Sequence, residues 1–230
     1  MEHIEEAGIH SGDSACSLPP FSINQDLQNK IVNWVSKIAE EIKVIGLMNT
    51  QLAIKDEKIY VLEVNPRASR TVPFVAKATG VPIAKIAAKI MTGDLLENIL
   101  TDNDHKKLET FNVKESVFPF NKFDGVDLIL GPEMKSTGEV MGIDSTFLSA
   151  FAKSQIACGT NLPSKGKVFI SIDDDNKKYI LTIVKKLLDL NFIIVATRGT
   201  AKFLNDNNLK TEIINKVKEG GSHIVRAIAN

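Results

Sequence analysis

The strongest constraint on the fold is a strand, a helix and a second strand that follow one another after residue 166. Lys167 to Ile172 and Phe192 to Ala196 are apolar strand-like runs, and Lys177 to Leu190 between them has the spacing of an amphipathic helix. Two strands joined by a helical crossover lie parallel in one sheet. We therefore predict an α/β unit with a parallel sheet in the C-terminal part of this 230-residue chain.

A segment of linker composition precedes this unit. Cys158–Gly166 combines small and polar residues with Pro163, which is typical of a connection between domains. It predicts a first domain over Met1–Ala157 and a second over Lys167–Asn230. A doubly wound domain usually needs at least about 100 residues. The second domain is therefore expected to be truncated.

The first domain is predicted to mix helices and strands, as in an α+β fold. Asn24 is expected to cap an amphipathic helix with apolar residues from Leu27 to Ile42. The acidic residues Met1–Gly8 are helix-forming. The other predicted elements are two short helices within Val75–Ala88, a surface excursion over Thr92–Asn112, a strand over Val113–Phe120, a turn-rich stretch over Gly125–Gly142 and a helix over Thr146–Ala157.

Composition excludes several classes of protein. Lys+Arg and Asp+Glu are balanced at 28 each, and no basic stripe predicts nucleic-acid binding. No apolar run reaches the ~20 residues that a membrane helix needs. The first residues lack the pattern of a signal peptide, and two distant cysteines suit a reducing compartment. We expect a soluble, cytoplasmic protein.

Two strand-like runs in the first domain carry the most informative chemistry. Leu47–Ile54 and Lys58–Val64 flank three charged residues and are predicted to form a hairpin. Because side chains alternate along a strand, Glu63 and Asn65 share one face, and Gln51 lies opposite or diagonal to Glu63. One carboxylate and two amide oxygens form a hard-cation site that suits Mg²⁺ beside phosphates.

Arg67 and Arg70 follow the second strand at a spacing that suits two guanidinium groups at one anion. They are the predicted catalytic residues, because they would neutralise charge that develops on a phosphoryl group. The alternative is that Glu63 and Asn65 face solvent and Arg67 caps a turn.

The run Glu63-x-Asn-Pro-Arg67, with Gln51 upstream, resembles the metal-binding strands of the ATP-grasp fold, whose members activate a carboxylate as an acyl phosphate. Three runs resemble the carbamoyl-phosphate synthase large subunit: Met1–Ser14, Asn65–Phe74 and Phe118–Phe123. The segment after residue 166 resembles a methylglyoxal-synthase-like domain. The resemblance is therefore to the C-terminal ATP-grasp half, which phosphorylates carbamate to carbamoyl phosphate with ATP and Mg²⁺ or Mn²⁺, with K⁺ as a further ion.

The resemblance implies roles for individual residues. They are ATP contacts by Gly8, Ile9, His10, Ser11, Gln51 and Glu63, metal contacts by Gln51, Glu63 and Asn65, phosphate or carbamate contacts by Arg67 and Arg70, and ornithine contacts by Glu5, Asp13 and Glu115. Two of these residues have simpler interpretations. His10 would be an ordinary loop histidine, and Asp13 a helix or turn cap.

The second domain contains a predicted phosphate site. Phe192–Ala201 passes from a strand through a glycine turn into a helix, which presents free N–H groups and the hydroxyls of Thr197 and Thr200 to an anion. The resemblance implies that these threonines, with Lys177 and Lys216, bind a nucleotide effector such as UMP or IMP. The two lysines would otherwise be solvated helix residues. Arg198 departs from the histidine expected between the threonines.

The resemblance also implies a separate glutaminase small subunit and a role in pyrimidine and arginine biosynthesis. The lobe with the glycine-rich phosphate loop would precede Met1, so the isolated chain is expected to have little or no synthase activity. Two alternatives stay open. One is another ATP-grasp carboxylate ligase, which should lack the sensor domain. The other is a non-enzymatic nucleotide-sensing module around Thr197 and Thr200.

Overall fold

The computed structural model describes residues 1–100, 108–122, 124–221 and 223–229. They form two compact units, Met1–Asn161 and Leu162–Asn230. The division between the units falls inside the segment predicted as the linker, and the proposed domain extents stay predictions. Positions 101–107 of the predicted surface excursion lie outside the described residues, as does the last position of the predicted 118–123 run.

The first unit contains a four-stranded antiparallel sheet and a separate two-stranded hairpin. The sheet has the order β1 (Glu2–His3), β2 (Cys16–Leu18), β5 (Phe111–Val117) and β6 (Gly138–Asp144), and the hairpin consists of β3 (Asn49–Lys55) and β4 (Lys58–Asn65). Its helices are α1 (Gln25–Glu41), α2 (Val72–Thr79), α3 (Ile83–Met91) and α4 (Phe147–Ala157). In the described residues, 3₁₀ turns occupy Leu96–Asn98 and Phe120–Lys122.

Local sequence signals account for the helix ends. The Asn24 side chain accepts a hydrogen bond from the Leu27 N–H at 2.9 Å, so the predicted cap of α1 is confirmed. Thr146 caps α4 in the same way through the Ser149 N–H. Gly80, with a φ of 74°, ends α2 in the left-handed conformation that glycine adopts without strain. The two short helices predicted around it are confirmed.

Two predictions for this unit are wrong. Met1–Gly8 does not form a helix, because Glu2 and His3 pair with Ser17 and Cys16 as β1, and long-range pairing overrides a weak local propensity. The end of the stretch Gly125–Gly142 is not a turn, because β6 begins at Gly138 and pairs with β5 along its whole length.

The second unit is a three-stranded parallel sheet in the order β7 (Lys167–Ile170), β8 (Ile193–Thr197) and β9 (Thr211–Ile214). Its helices are α5 (Lys177–Asp189), α6 (Arg198–Asp206) and α7 (Ile224–Ala229). Buried apolar residues from β7, α5, β8 and α6 form its core. The predicted strand–helix–strand unit with a parallel sheet is confirmed. The predicted glycine turn is instead the first turn of α6.

No helix in the described part of the chain is both long enough and apolar enough to cross a membrane.

The close contact between α4 and β6 gives a first testable prediction. A Cβ atom on Gly142 would lie 2.0 Å from the Ala150 carbonyl oxygen and 2.5 Å from the Ser154 nitrogen, both of them backbone atoms of α4. Gly142→Ala must therefore push α4 away from the sheet. We expect it to lower the free energy of unfolding of the first unit by about 3 kcal/mol, measured by urea unfolding with Trp34 fluorescence.

The matched control is Gly138→Ala in the same strand. Its Cβ atom would lie 3.8 Å from the Val117 Cβ atom, an ordinary contact. Its effect should stay within ~0.5 kcal/mol, as for substitutions that disturb no packed group. Equal effects of the two substitutions would show that α4 does not depend on the close approach at Gly142.

Candidate functional site

The β3–β4 hairpin places the three predicted metal ligands side by side. Asp56 and Glu57 form its turn with φ values of 51° and 59°, the conformation of a type I′ turn, which matches the twist of paired strands. Gln51 lies directly opposite Glu63. The Asn65 Nδ2 group donates a hydrogen bond to Glu63 Oε1 at 2.6 Å. The predicted hairpin is therefore confirmed, with the two polar residues of β4 in contact.

The donor set suits a hard cation that keeps other oxygen ligands. Glu63 is exposed, and Gln51 and Asn65 are half-buried. Nowhere among the described residues do three His, Cys, Asp or Glu side chains gather into a metal centre. A single carboxylate with two amide oxygens fits Mg²⁺, which binds few protein oxygens and completes its octahedron with water and phosphate. The metal roles of these residues stay predictions.

The segment Gly8–Asp13, predicted to contact ATP, lies beside this hairpin. The Gln51 Nε2 group donates to the Ser11 hydroxyl oxygen at 3.2 Å, which joins the two predicted sets of ligands. His10 Nδ1 accepts a hydrogen bond from the Gly12 N–H at 3.0 Å, so its Nε2 atom is the nitrogen left for a ligand. Gly8 has a φ of 110°.

Asp13 is fully buried and fixes this segment from the other side. Its carboxylate oxygens accept the backbone N–H groups of Lys135 at 2.8 Å and Ser136 at 2.9 Å. Burial alone would raise the pKa of Asp13, but the hydrogen bonds from Ser136 and Lys135 hold it below its ordinary value. The geometry favours the capping role, and ornithine contact stays a prediction for this residue.

The two predicted catalytic arginines have different surroundings. The Arg70 guanidinium group contacts the Met134 sulfur atom, and the Met134 side chain packs against Gly12. Arg70 therefore lies on the side of Gly8–Asp13. Arg67 is exposed, and its guanidinium group donates to the Ala68 carbonyl at 2.9 Å.

Glu5 and Glu115, the other predicted ornithine ligands, lie near enough for their charges to interact. Burial raises the pKa of both carboxyl groups, and the charge of Glu5 raises that of Glu115 further. Glu5 accepts the Ala15 N–H at 2.7 Å, and Glu115 accepts the Gln155 side-chain amide at 2.5 Å. Glu5 and Glu115 thus lie within range of each other's charge, whereas Asp13 is bound by the Lys135–Ser136 backbone.

A buried polar row on β5 was missed in the sequence. Asn112, Lys114 and Ser116 are at most 2% exposed. They donate hydrogen bonds to the carbonyl oxygens of Leu18, Ser11 and Gly12 at 3.2, 3.4 and 2.8 Å. Their spacing of two residues is the available signal, because it puts three polar side chains on one face of a strand. The sequence instead predicted an apolar strand from Val113 and a surface excursion that ends at Asn112, which is wrong for Asn112 because it lies in β5 and is 2% exposed.

The second unit gathers hydroxyl groups at the carboxyl ends of β7 and β8. The Thr197 hydroxyl lies 3.4 Å from that of Thr200 and 3.4 Å from that of Ser171. Thr197 is the N-terminal cap residue of α6, yet its side chain makes no capping hydrogen bond. The first N–H groups of α6 therefore lack the side-chain acceptor that usually satisfies them.

The predicted basic residues are placed unequally around these hydroxyls. The Lys177 ammonium group donates to the Gly199 carbonyl at 3.3 Å and pairs with Asp174 at 2.5 Å. Its side chain is 15% exposed, so it is not a freely solvated lysine. Lys216 follows β9 rather than lying in an α-helix. The Arg198 guanidinium group donates to the Asn215 side-chain oxygen at 3.1 Å.

Two family models match parts of the chain. A family model described as "Carbamoyl-phosphate synthase L chain, ATP binding domain" matches residues 1–99, and one described as "MGS-like domain" matches residues 179–230. Among solved structures, the biotin carboxylase domain of a single-chain bacterial carboxylase overlaps 45% of this chain and 25% of its own, with 16% identity and a TM-score of 0.41.

The sequence relatives cover this chain completely. The carbamoyl phosphate synthase large chain of Mesorhizobium japonicum is 55% identical over 234 residues, and that of Pasteurella multocida is 53% identical over 230. Each alignment covers 100% of this chain, and it covers 20% and 21% of the respective relative. The chain thus spans about a fifth of the length of these curated relatives, and it is similar over all of its own length to a segment of the carbamoyl phosphate synthase large chain.

Proposed function

We propose that the chain supplies the metal- and phosphate-binding part of an ATP site that phosphorylates carbamate to carbamoyl phosphate. The observation that carries this proposal is the direct pairing of Gln51 with Glu63 on a hairpin whose Gln51 also contacts Ser11. The identity of 50–55% to carbamoyl phosphate synthase large chains over the whole chain supports the assignment of substrate.

Each set of residues would have a separate task. Gln51, Glu63 and Asn65 would bind Mg²⁺ or Mn²⁺, which would neutralise charge on the nucleotide phosphates. Gly8, Ile9, His10 and Ser11 would orient the nucleotide. Arg67 and Arg70 would bind the transferred phosphoryl group or the carbamate. Arg70 contacts Met134, which packs against Gly12 of the segment Gly8–Asp13. Phosphoryl transfer relies on positioning and electrostatic stabilisation, so it needs no protein nucleophile.

The wider roles follow from the same similarity. A glutaminase small subunit would supply ammonia, and the product would enter pyrimidine and arginine biosynthesis in the cytoplasm. Glu5 and Glu115 would bind the ammonium group of ornithine, with Asp13 holding the adjacent backbone, and K⁺ would be a further bound ion. The match of residues 179–230 to an MGS-like domain disfavours other ATP-grasp carboxylate ligases.

A second candidate function belongs to the second unit. The uncapped start of α6 offers backbone N–H groups to an anion, and Thr197, Thr200 and Lys177 surround it. Lys216 lies just after β9, whose carboxyl end is at the same edge of the sheet. We propose that this edge binds the phosphate of a nucleotide effector such as UMP or IMP. The sensor would act within the synthase or, if the first candidate fails, as a nucleotide-sensing module by itself.

The role of Glu63 can be tested in a full-length protein. The chain would replace the corresponding segment of the Pasteurella multocida large chain, and carbamoyl phosphate formation from carbamate and ATP would be measured. We expect Glu63→Gln to lower kcat by at least about 100-fold, because a neutral amide cannot replace the charged ligand that positions the metal.

The matched control is Glu57→Gln, which removes an exposed carboxylate from the turn of the same hairpin. It should leave kcat close to that of the unsubstituted chimera. Equal loss of activity in the two variants would assign the effect to the hairpin fold and would contradict a metal role for Glu63.

The effector site can be tested in the chain itself by calorimetric titration with UMP and IMP. We expect Thr200→Val to weaken binding by about tenfold or more, because it removes a hydrogen bond to a charged phosphate. Thr211→Val is the control, since Thr211 is also a buried threonine but lies at the opposite end of the sheet strands. Binding that is unchanged by Thr200→Val, or an absence of heat with either nucleotide, would contradict the sensor assignment.

A further inference from the structure

Lys114 is the most unusual buried group in the first unit. Its side chain is 0% exposed, although lysine is almost never fully buried unless it is paired. Its ammonium group lies 3.4 Å from the Ser11 carbonyl oxygen and 3.8 Å from Glu139 Oε1. Both contacts are long, so they act mainly through the attraction of charges and dipoles in a buried site.

Several titratable groups lie within the field of this ammonium group. Burial is the largest effect on the pKa of each group, and it lowers the pKa of His3 and raises those of Glu5, Cys16 and Glu115. The charge of Lys114 acts on all four in the lowering direction. Glu139 lies 3.8 Å from this cation, and Glu5 and Glu115 are near enough for its charge to act on them. Removal of the cation would take the countercharge away from these carboxylates, which is the costly way to break a buried pair.

Lys114 contacts a different backbone group of the segment Gly8–Asp13 than the other side chains that bind this segment. Ser116 and Ser136 both donate to the Gly12 carbonyl, at 2.8 and 2.9 Å, and Asp13 is fixed by backbone N–H groups. The Ser11 carbonyl has the Lys114 ammonium group as its side-chain donor in the described structure. The hydroxyl group of this same Ser11 accepts the hydrogen bond from Gln51.

We infer that Lys114 is a positioning residue of the proposed ATP site, because its buried ammonium group holds the Ser11 carbonyl and thereby presents the Ser11 hydroxyl to Gln51. Contacts link Glu139 to Lys114, Lys114 to Ser11, and Ser11 to Gln51 of the β3–β4 hairpin. The importance for catalysis rests on the proposed function. The positioning itself is a property of the free protein and can be tested without nucleotide or metal.

The test is hydrogen–deuterium exchange of the chain, read by peptide. In Lys114→Met, exchange in peptides that cover residues 8–16 should be about tenfold faster, the change expected for losing a charge-assisted hydrogen bond. Exchange in residues 49–55 should rise by a smaller factor, whereas residues 25–41 and 193–206 should keep their rates. The control Lys153→Met removes a 58% exposed lysine that is ion-paired with Asp144, and it should change none of these peptides.

Chemical rescue of Lys114→Ala shows whether the charge of the Lys114 side chain or only its volume holds residues 8–16. Lys114→Ala removes the atoms of n-propylammonium, so this cation should restore the exchange rates of residues 8–16. The neutral 1-propanol has a similar shape and should not restore them. If Lys114→Met does not fold, folding of Lys114→Ala in n-propylammonium but not in 1-propanol supports the inference, and failure in both overturns it.

Three results would also overturn the inference: uniform acceleration across residues 1–161, unchanged exchange in residues 8–16, or equal rescue by 1-propanol. The Glu63→Gln chimera reports on the metal role independently. A rescue by n-propylammonium with no effect of Glu63→Gln would therefore keep the positioning role and reject the proposed site.

Discussion

The first unit depends on a row of buried hydrogen-bond donors along one face of β5. The segment from Ser11 to Leu18 leads into β2, which pairs with β1 and β5, and side chains also satisfy some of its carbonyl groups. Asn112, Lys114 and Ser116 donate to three of these carbonyls. Because each buried acceptor left without a partner costs about 1–3 kcal/mol, the row determines where this segment can lie. The predicted nucleotide contacts occupy the same segment.

Buried carboxyl groups of this unit show how closely the environment controls their charge. Asp13 is fully buried, yet hydrogen bonds from Ser136 and Lys135 hold its pKa below the ordinary value. Glu5 and Glu115 have raised pKa values, because burial outweighs their hydrogen bonds and the charge of Lys114. The environment therefore favours the charged form of Asp13 and disfavours the charged forms of Glu5 and Glu115.

The sequence predicted the features that short-range chemistry controls. The cap at Asn24, the hairpin and the parallel strand–helix–strand unit follow from local spacing, and all three are confirmed. The strand at Glu2 was missed because its partner lies 15 positions away, at Ser17. Lys114 was missed for a related reason. A lysine inside a strand is usually solvated, and only the tertiary placement of Ser11, Glu139 and Glu5 makes its burial tolerable.

Glu63 illustrates why the metal ligands need a different kind of support. A carboxylate that is to meet a metal and a nucleotide must stay accessible, so it cannot be fixed by burial as Asp13 is. Its position must come from the backbone. The left-handed turn at Asp56 and Glu57 sets the register, and the irregularity after Gln51 leaves Leu62 as the extra residue while Gln51 still faces Glu63. A two-stranded hairpin is marginal alone. The contact between Gln51 and Ser11 therefore connects the accessible ligands to the buried polar row of β5. The geometry of the hairpin thus depends on buried residues as well as on its own strands.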